Sequence, residues 1–281
     1  MNGIIGEYTS KMSLRTEIRD GFHHLAEMFY TNPFGLMRFD KRSAHDPWLR
    51  YMIRSSTPGI MAGDFYEMSF RVAKGTNLGL ETQAYSRIHS MKPGGFAKQT
   101  TTIDVEEDAM FQYIPHPTSP HKDSVYEAIN TINIAKTSRV IWGEVITCGR
   151  KLYGEGEVFE FKEFKNYTRI FLDGHLIFKD RLYMKPSEMD LTTMGQWEDY
   201  THQATIFIYD QQLEEDYLLE LLEKALKDDE GVEYGITTTV GGGIVIRIVG
   251  HGGEQLYNIA KRFEYSILDC LLYTSPSPRD R

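Results

Sequence analysis

Cysteine is almost missing from this chain of 281 residues, which carries only Cys148 and Cys270. The second lies in Cys270-Leu271-Leu272-Tyr273-Thr274-Ser275-Pro276-Ser277-Pro278-Arg279-Asp280, which reads as one frame of a transposase-type sequencing adaptor. Residues 270–281 are therefore expected to be a non-native tail, and residues 1–269 one domain cut short of its own end. Cys148 is then alone, no internal disulfide is possible, and a lone thiol suits a reducing compartment. Apolar runs are short, and none nears the about 18 residues of a membrane span. The opening Met1-Asn2-Gly3-Ile4-Ile5-Gly6-Glu7 lacks the basic and apolar regions of a secretory signal, so the cytoplasm is the expected address. Positive charge is scarce as well. The net charge of −9 with no Lys/Arg run argues against a nucleic-acid partner.

Catalytic signatures are also lacking. There is no Gly-x-Ser-x-Gly elbow, His-Glu-x-x-His helix or Cys-x-x-Cys pair to anchor hydrolase or redox chemistry. Gly241-Gly242-Gly243 is followed by the strand-like Ile244-Val245-Ile246-Arg247-Ile248-Val249 instead of Gly-Lys-Ser/Thr opening a helix. It reads as a turn between two strands within Gly235–Val249, not as a phosphate loop.

What the chain does have is aromatic and β-forming. It holds 17 Tyr and 15 Phe, and its centre alternates apolar and polar residues with a period of two. Phe70, Val72, Leu78 and Leu80 stand at offsets 0, 2, 8 and 10; Ile103, Val105, Phe111 and Tyr113 repeat them, as do Ile132, Ile134, Val140 and Trp142. Each unit reads as strand, short polar turn, strand, and the units follow at 33 and then 29 residues. A tighter fourth version, Ile170, Leu172, Leu176 and Phe178, surrounds the hairpin signal Asp173-Gly174. Equal offsets at near-constant spacing suit stacked β-layers. An antiparallel sandwich with hairpins of similar length fits the same pattern. Helices are few: one capped by Asp210 and running from Gln211 to Leu226, and one from Glu254 to about Leu268. The predicted fold is mainly β, with a stacked-layer core and two C-terminal helices.

Among polar residues, Glu144 stands in the apolar run Trp142-Gly143-Glu144-Val145-Ile146. It either faces solvent or points inward, where burial demands a partner such as Arg150 or a polar channel. His116 and His121 bracket Pro117-Thr118-Ser119-Pro120, a stiff loop able to offer imidazoles to a borderline metal such as Ni²⁺, or else an ordinary surface loop. His23 and His24, adjacent on a strand, would point to opposite faces.

Read together, several stretches resemble the UreD (UreH) family of urease accessory proteins across residues 13–250. They are Thr57-Pro58-Gly59-Ile60-Met61-Ala62-Gly63-Asp64, Glu81-Thr82-Gln83-Ala84, Tyr113-Ile114-Pro115-His116-Pro117, Glu144-Val145-Ile146-Thr147-Cys148-Gly149-Arg150 and Phe178-Lys179-Asp180-Arg181. The resemblance implies a β-helix-like core and no enzymatic activity. It implies binding of apo-urease, recruitment of UreF and of the UreG GTPase, and an internal path for nickel. No tightly bound cofactor is implied, only transient Ni²⁺. Its route residues would be Asp64, Glu144, Asp180 and one of Glu155 or Glu157, with His116 and His121 weaker candidates. The family's Gly-Glu-x-Phe segment is doubled here, as Gly154-Glu155 and Gly156-Glu157 before Val158-Phe159. A carbohydrate-active β-helix enzyme with a carboxylate pair is the alternative reading, and a structural β-solenoid is a third.

Overall fold

Alternating burial along the central strands follows from where each residue parity points: one side of a strand meets a facing sheet, the other meets solvent or a helix. The computed structural model describes residues 8–39 and 48–274. It begins with β1 (Tyr8–Arg19), β2 (Phe22–Tyr30), β3 (Phe34–Arg38) and β4 (Trp48–Ser55). The repeated units follow as β5 (Asp64–Val72), β6 (Asn77–Thr82), β7 (Ser86–Ile88), β8 (Ala97–Val105) and β9 (Met110–Tyr113). Next come β10 (Thr118–Pro120), β11 (Val125–Ile134), β12 (Arg139–Thr147), β13 (Glu163–Leu172) and β14 (His175–Met184). The chain ends in β15 (His202–Tyr209), α1 (Glu215–Leu226), β16 (Glu233–Thr238), β17 (Ile244–Gly250) and α2 (Gly253–Thr274).

The first sheet runs β14-β13-β11-β8-β5-β1-β2, and the second β16-β17-β15-β12-β9-β6-β4-β3, with β7 and β10 beside it. Each predicted unit sends its first strand to one sheet and its second to the other, and successive units pair in parallel. Phe70 lies beside Ile103, Ile103 beside Ile132 and Ile132 beside Ile170. In the second sheet Leu78 lies beside Phe111 and Phe111 beside Val140. Equal offsets in the sequence are thus equal registers in the sheets. This parallel pairing is incompatible with the antiparallel sandwich.

The fourth unit departs from the pattern. Asp173 and Gly174 both take positive φ, 46° and 81°, the geometry of a two-residue hairpin turn. So tight a turn returns β14 antiparallel to β13 within one sheet, where the longer turns carry the chain across to the other.

Two cores result. Phe70, Ile103, Phe111, Trp142, Ile170 and Phe207 fill the space between the sheets. Opposite-parity residues of the second sheet, among them Ile141, Val145, Ile206 and Ile246, pack under α1 and α2 against Leu222, Ile259 and Phe263. Strand β12 is accordingly buried on both faces, and a Cβ on Gly143 would stand 2.8 Å from Ile114 Cγ1.

The two helices form as expected, with two differences. α1 precedes β16 and β17, so only α2 is C-terminal. Asp210 does not cap α1: its Oδ1 accepts from Gln212 N at 2.9 Å in a separate turn, and the helix starts after Glu214 with no side-chain cap. Gly241 and Gly242 form the expected turn between β16 and β17, with φ of 98° and 87°. The expected non-native tail is helical as far as Thr274, and residues 275–281 lie outside the described residues.

Candidate functional site

A polar layer interrupts the core between the sheets. Register places Asp180, Thr168, Asn130 and Thr101 side by side across the first sheet. Arg247, Thr205 and Glu144 form the facing row in the second. The two rows join at both ends. Asn130 Nδ2 donates to Glu144 Oε1 at 2.8 Å, and Thr168 Oγ1 donates to the same oxygen at 3.3 Å. At the other end Arg247 Nη2 meets Asp180 Oδ1 at 2.6 Å. Asn130 also donates to Asn166 Oδ1 at 3.2 Å. Strand alternation explains this placement: Glu144 shares its parity with Val140, Trp142 and Ile146, all in the inter-sheet core.

Glu144 is largely shielded by protein and lines a cavity of about 70 Å³. That volume holds a few water molecules, each needing roughly 10–15 Å³. Burial, reinforced by the charge of Asp180, raises its carboxyl to about 7, against opposing hydrogen bonds. The carboxyl is therefore about half protonated at neutral pH. A second cavity, of about 190 Å³, shares Ser86, Gln99 and Tyr113 with the first. Thr57, Gly59, Thr82 and Gln83 line it, opposite the end of the layer that Asp180 occupies.

The other expected site residues fall in separate places. Asp64 is half-buried at the start of β5, where its Oδ2 accepts from Met61 N at 2.8 Å and closes a turn. Glu155 is exposed. Glu157 is 9% exposed, and Arg150 Nε donates to it at 2.8 Å. Arg150 is therefore the partner of Glu157 and not of Glu144. Gly149 at φ 123° and Gly156 at φ 96° fold the intervening loop back to make that pair. His116 stacks on Tyr257 with ring centroids 4.2 Å apart and exchanges a hydrogen bond with Thr82. His121 instead meets His89, at 5.0 Å. The Pro-rich loop thus sends its two imidazoles to different neighbours, and His121, expected on that loop's surface, is buried. Among the described residues no group of three or more His, Cys, Asp and Glu side chains is placed to hold a metal ion.

The stretches quoted for the family resemblance meet at this layer. Thr57–Ile60, Thr82–Ala84 and Tyr113 line the larger cavity, Pro115 and Glu144 the smaller, and Asp180 ends the polar row. The family model described as UreD urease accessory protein matches residues 9–279. The chain belongs to the UreD family. Similar proteins named urease accessory protein UreD include that of Flavobacterium johnsoniae, 34% identical over 91% of this chain and 91% of its own. Those of Acetivibrio thermocellus and Haemophilus influenzae are 31% and 33% identical, over 90% of this chain and 94% and 96% of theirs. Membership assigns the chain an accessory role around urease. No described helix is long and apolar enough to cross a membrane.

Asn130, Thr168 and Arg247 were missed as site residues in the sequence. The signal for the first two was present: each is polar at an inward-facing position of an otherwise apolar alternation. Arg247 interrupts Ile244-Val245-Ile246 in the same way.

Proposed function

We propose that this UreD-family chain is a non-catalytic cytoplasmic scaffold that binds apo-urease and recruits the UreF and UreG accessory proteins for nickel insertion. Its parallel layers form a rigid, β-helix-like body, and the polar layer between them gives transferred Ni²⁺ a wet path. The observation that carries the reading is the convergence of the family-like stretches, distant in sequence, on two adjoining cavities and one buried carboxylate.

The chemistry suits passage more than storage. A conduit must hold its ion weakly enough to release it. Glu144, amide and hydroxyl oxygens, and water are hard donors, whereas Ni²⁺ is held most firmly by imidazole and thiolate. With its carboxyl near 7, Glu144 is half neutral while the path is empty, and an arriving cation favours the charged form and releases a proton. Asp180 stays tied to Arg247 until the ion competes for it.

The test is urease activation by the double variant Glu144→Ala/Asp180→Ala. Activation is expected to fall while the variant remains folded by circular dichroism. Wild-type activation by a folded variant would remove both residues from the path.

A further inference from the structure

A third and wider hollow lies outside the polar layer. It is an open cleft of about 820 Å³ where the ends of β12 and β15 meet the start of α2, and it adjoins the larger inner cavity only through Tyr85 and Arg87. Its chemistry is opposite in sign to that of Glu144 and Asp180. Arg87, Arg150 and Lys151 line it, together with His121, His202, Gly253 and one carboxylate, Glu254.

Three independent features converge there. First, the amide groups of a helix's opening turn have no partner within the helix. The carbonyl of Gly252 takes the first helical bond, from Leu256 N at 3.1 Å, and Gly252 has no side chain with which to cap those amides. The following Gly253 admits no side chain easily, since a Cβ would stand 3.1 Å from both Tyr85 Oη and Thr147 Cγ2 and 3.3 Å from His202 Cδ2. The bare backbone of α2 therefore faces the cleft, with its positive dipole end.

Second, His121 is only 5% exposed and its ring nitrogens make no hydrogen bond among the described residues, although it lines the cleft. Its neighbour His89, which lines the same cleft, has a buried Nε2 with no hydrogen-bond partner, a costly condition unless a ligand or water supplies one. His202, 6% exposed, bonds through Nδ1 to Thr201 Oγ1 at 2.8 Å, which leaves Nε2 for the cleft.

Third, cationic side chains outnumber carboxylates along the cleft: Arg87, Arg150 and Lys151 line it against Glu254 alone. His121 is pushed down to about 4 by burial and then by Arg150 and His89, and His202 to about 4 by burial and then by Lys151 and His251. Glu157 is paired with Arg150, whereas Glu254, in the first turn of α2, accepts from Tyr85 Oη at 3.3 Å and has no cationic partner among the described residues. Arg87 and Lys151 have no acidic partner among the described residues; Lys151 reaches only Thr201 Oγ1, at 3.3 Å.

We propose that this cleft is an oxyanion site, taking a phosphate or carboxylate group on the first-turn amides of α2, with Arg87 and Lys151 as counter-charges and the neutral imidazoles of His121 and His202 as donors. Three cationic side chains and a helix N-terminus, against the single lining carboxylate Glu254, disfavour a cation such as Ni²⁺ there. The site lies beside the nickel path and shares Tyr85 and Arg87 with the lining of the larger inner cavity.

The test is calorimetric titration of the full chain with inorganic phosphate at constant ionic strength, with acetate as a second arm and NiCl₂ as a third. Saturable phosphate binding is expected, weakened at least tenfold in Arg87→Ala/Lys151→Ala, whose melting temperature without phosphate should match the wild type. Acetate displacing phosphate at similar concentration would mark the physiological group as a carboxylate, and failure to displace would mark it as a phosphate; either supports the site. Absent saturation, equal affinity in the double variant, or saturation by Ni²⁺ in place of phosphate would overturn it. The Glu144→Ala/Asp180→Ala variant should bind phosphate as the wild type does, which separates this site's failure from that of the path.

Discussion

Glu144 is a carboxylate held between two sheets by an amide and a hydroxyl and by no cation, and that arrangement has a consequence for stability. Its folded-state value, about 7, lies above the ordinary 4.5, so the folded protein binds this proton more tightly than the unfolded chain. Relative stability is therefore full below pH 4.5 and is lost as pH rises through 7. The loss is on the order of 3 kcal/mol at one-unit steps of about 1.4 kcal/mol. Glu144→Gln keeps the shape and removes the charge. The variant is expected to match the wild type in melting temperature near pH 5 and to exceed it near pH 8. His202 works in the opposite direction. Its value is pushed down to about 4, so the stability it contributes is present above about 6.5 and lost as pH falls toward 4. His202→Gln should flatten that acid limb in a pH series of thermal melts.

That Glu144 points inward was half legible in the sequence. Parity put it with Trp142 and Ile146, but parity alone does not say which face of a strand meets the other sheet, and β12 is buried on both. Its partners were not legible, because Asn130 and Thr168 come from strands paired through register across the first sheet. The Arg150–Glu157 pair was mistaken for the same reason in reverse: a loop turned by two positive-φ glycines brought closer what the strand spacing suggested was apart.

Among the elements, the repeated units were the most legible feature, since parallel in-register pairing makes equal sequence offsets into lateral neighbours. The start of α1 was not, because Asp210 satisfies its own turn five residues upstream of the first helical residue, Glu215. α2 depends on a polar contact that its amphipathic pattern does not reveal. Glu264 is 0% exposed, and its charge is met by Lys261, which also reaches Glu81 Oε1 at 2.8 Å on β6. Removing one partner of a buried pair leaves an uncompensated charge and costs about 3–5 kcal/mol. Lys261→Ala should lose stability of that order in urea denaturation. Adding Glu264→Leu should recover part of the loss, and no recovery would show that the cost lies in packing. A central aromatic makes a comparable case: Phe70 is fully buried against Phe111, and Phe70→Ala is expected to cost about 3–5 kcal/mol in the same assay.

At the scale of the whole molecule, two cores divide the labour. The inter-sheet core carries the polar layer and its cavities, and the second core fastens α1 and α2 to the outer face of the second sheet. The mainly β class and the family were legible because strand periodicity and short motifs survive in sequence; the assembly of the motifs around one interior was not, because it is a property of register. The scaffold role proposed above requires partners, so the association state of the chain tests it most directly. The chain should be co-expressed with apo-urease subunits and a UreF protein, and the mass of what co-purifies measured by light scattering. The account predicts a stable complex containing urease or UreF, formed equally well by Glu144→Ala/Asp180→Ala. A particle of about 32.4 kDa, the mass of this chain alone, would contradict it.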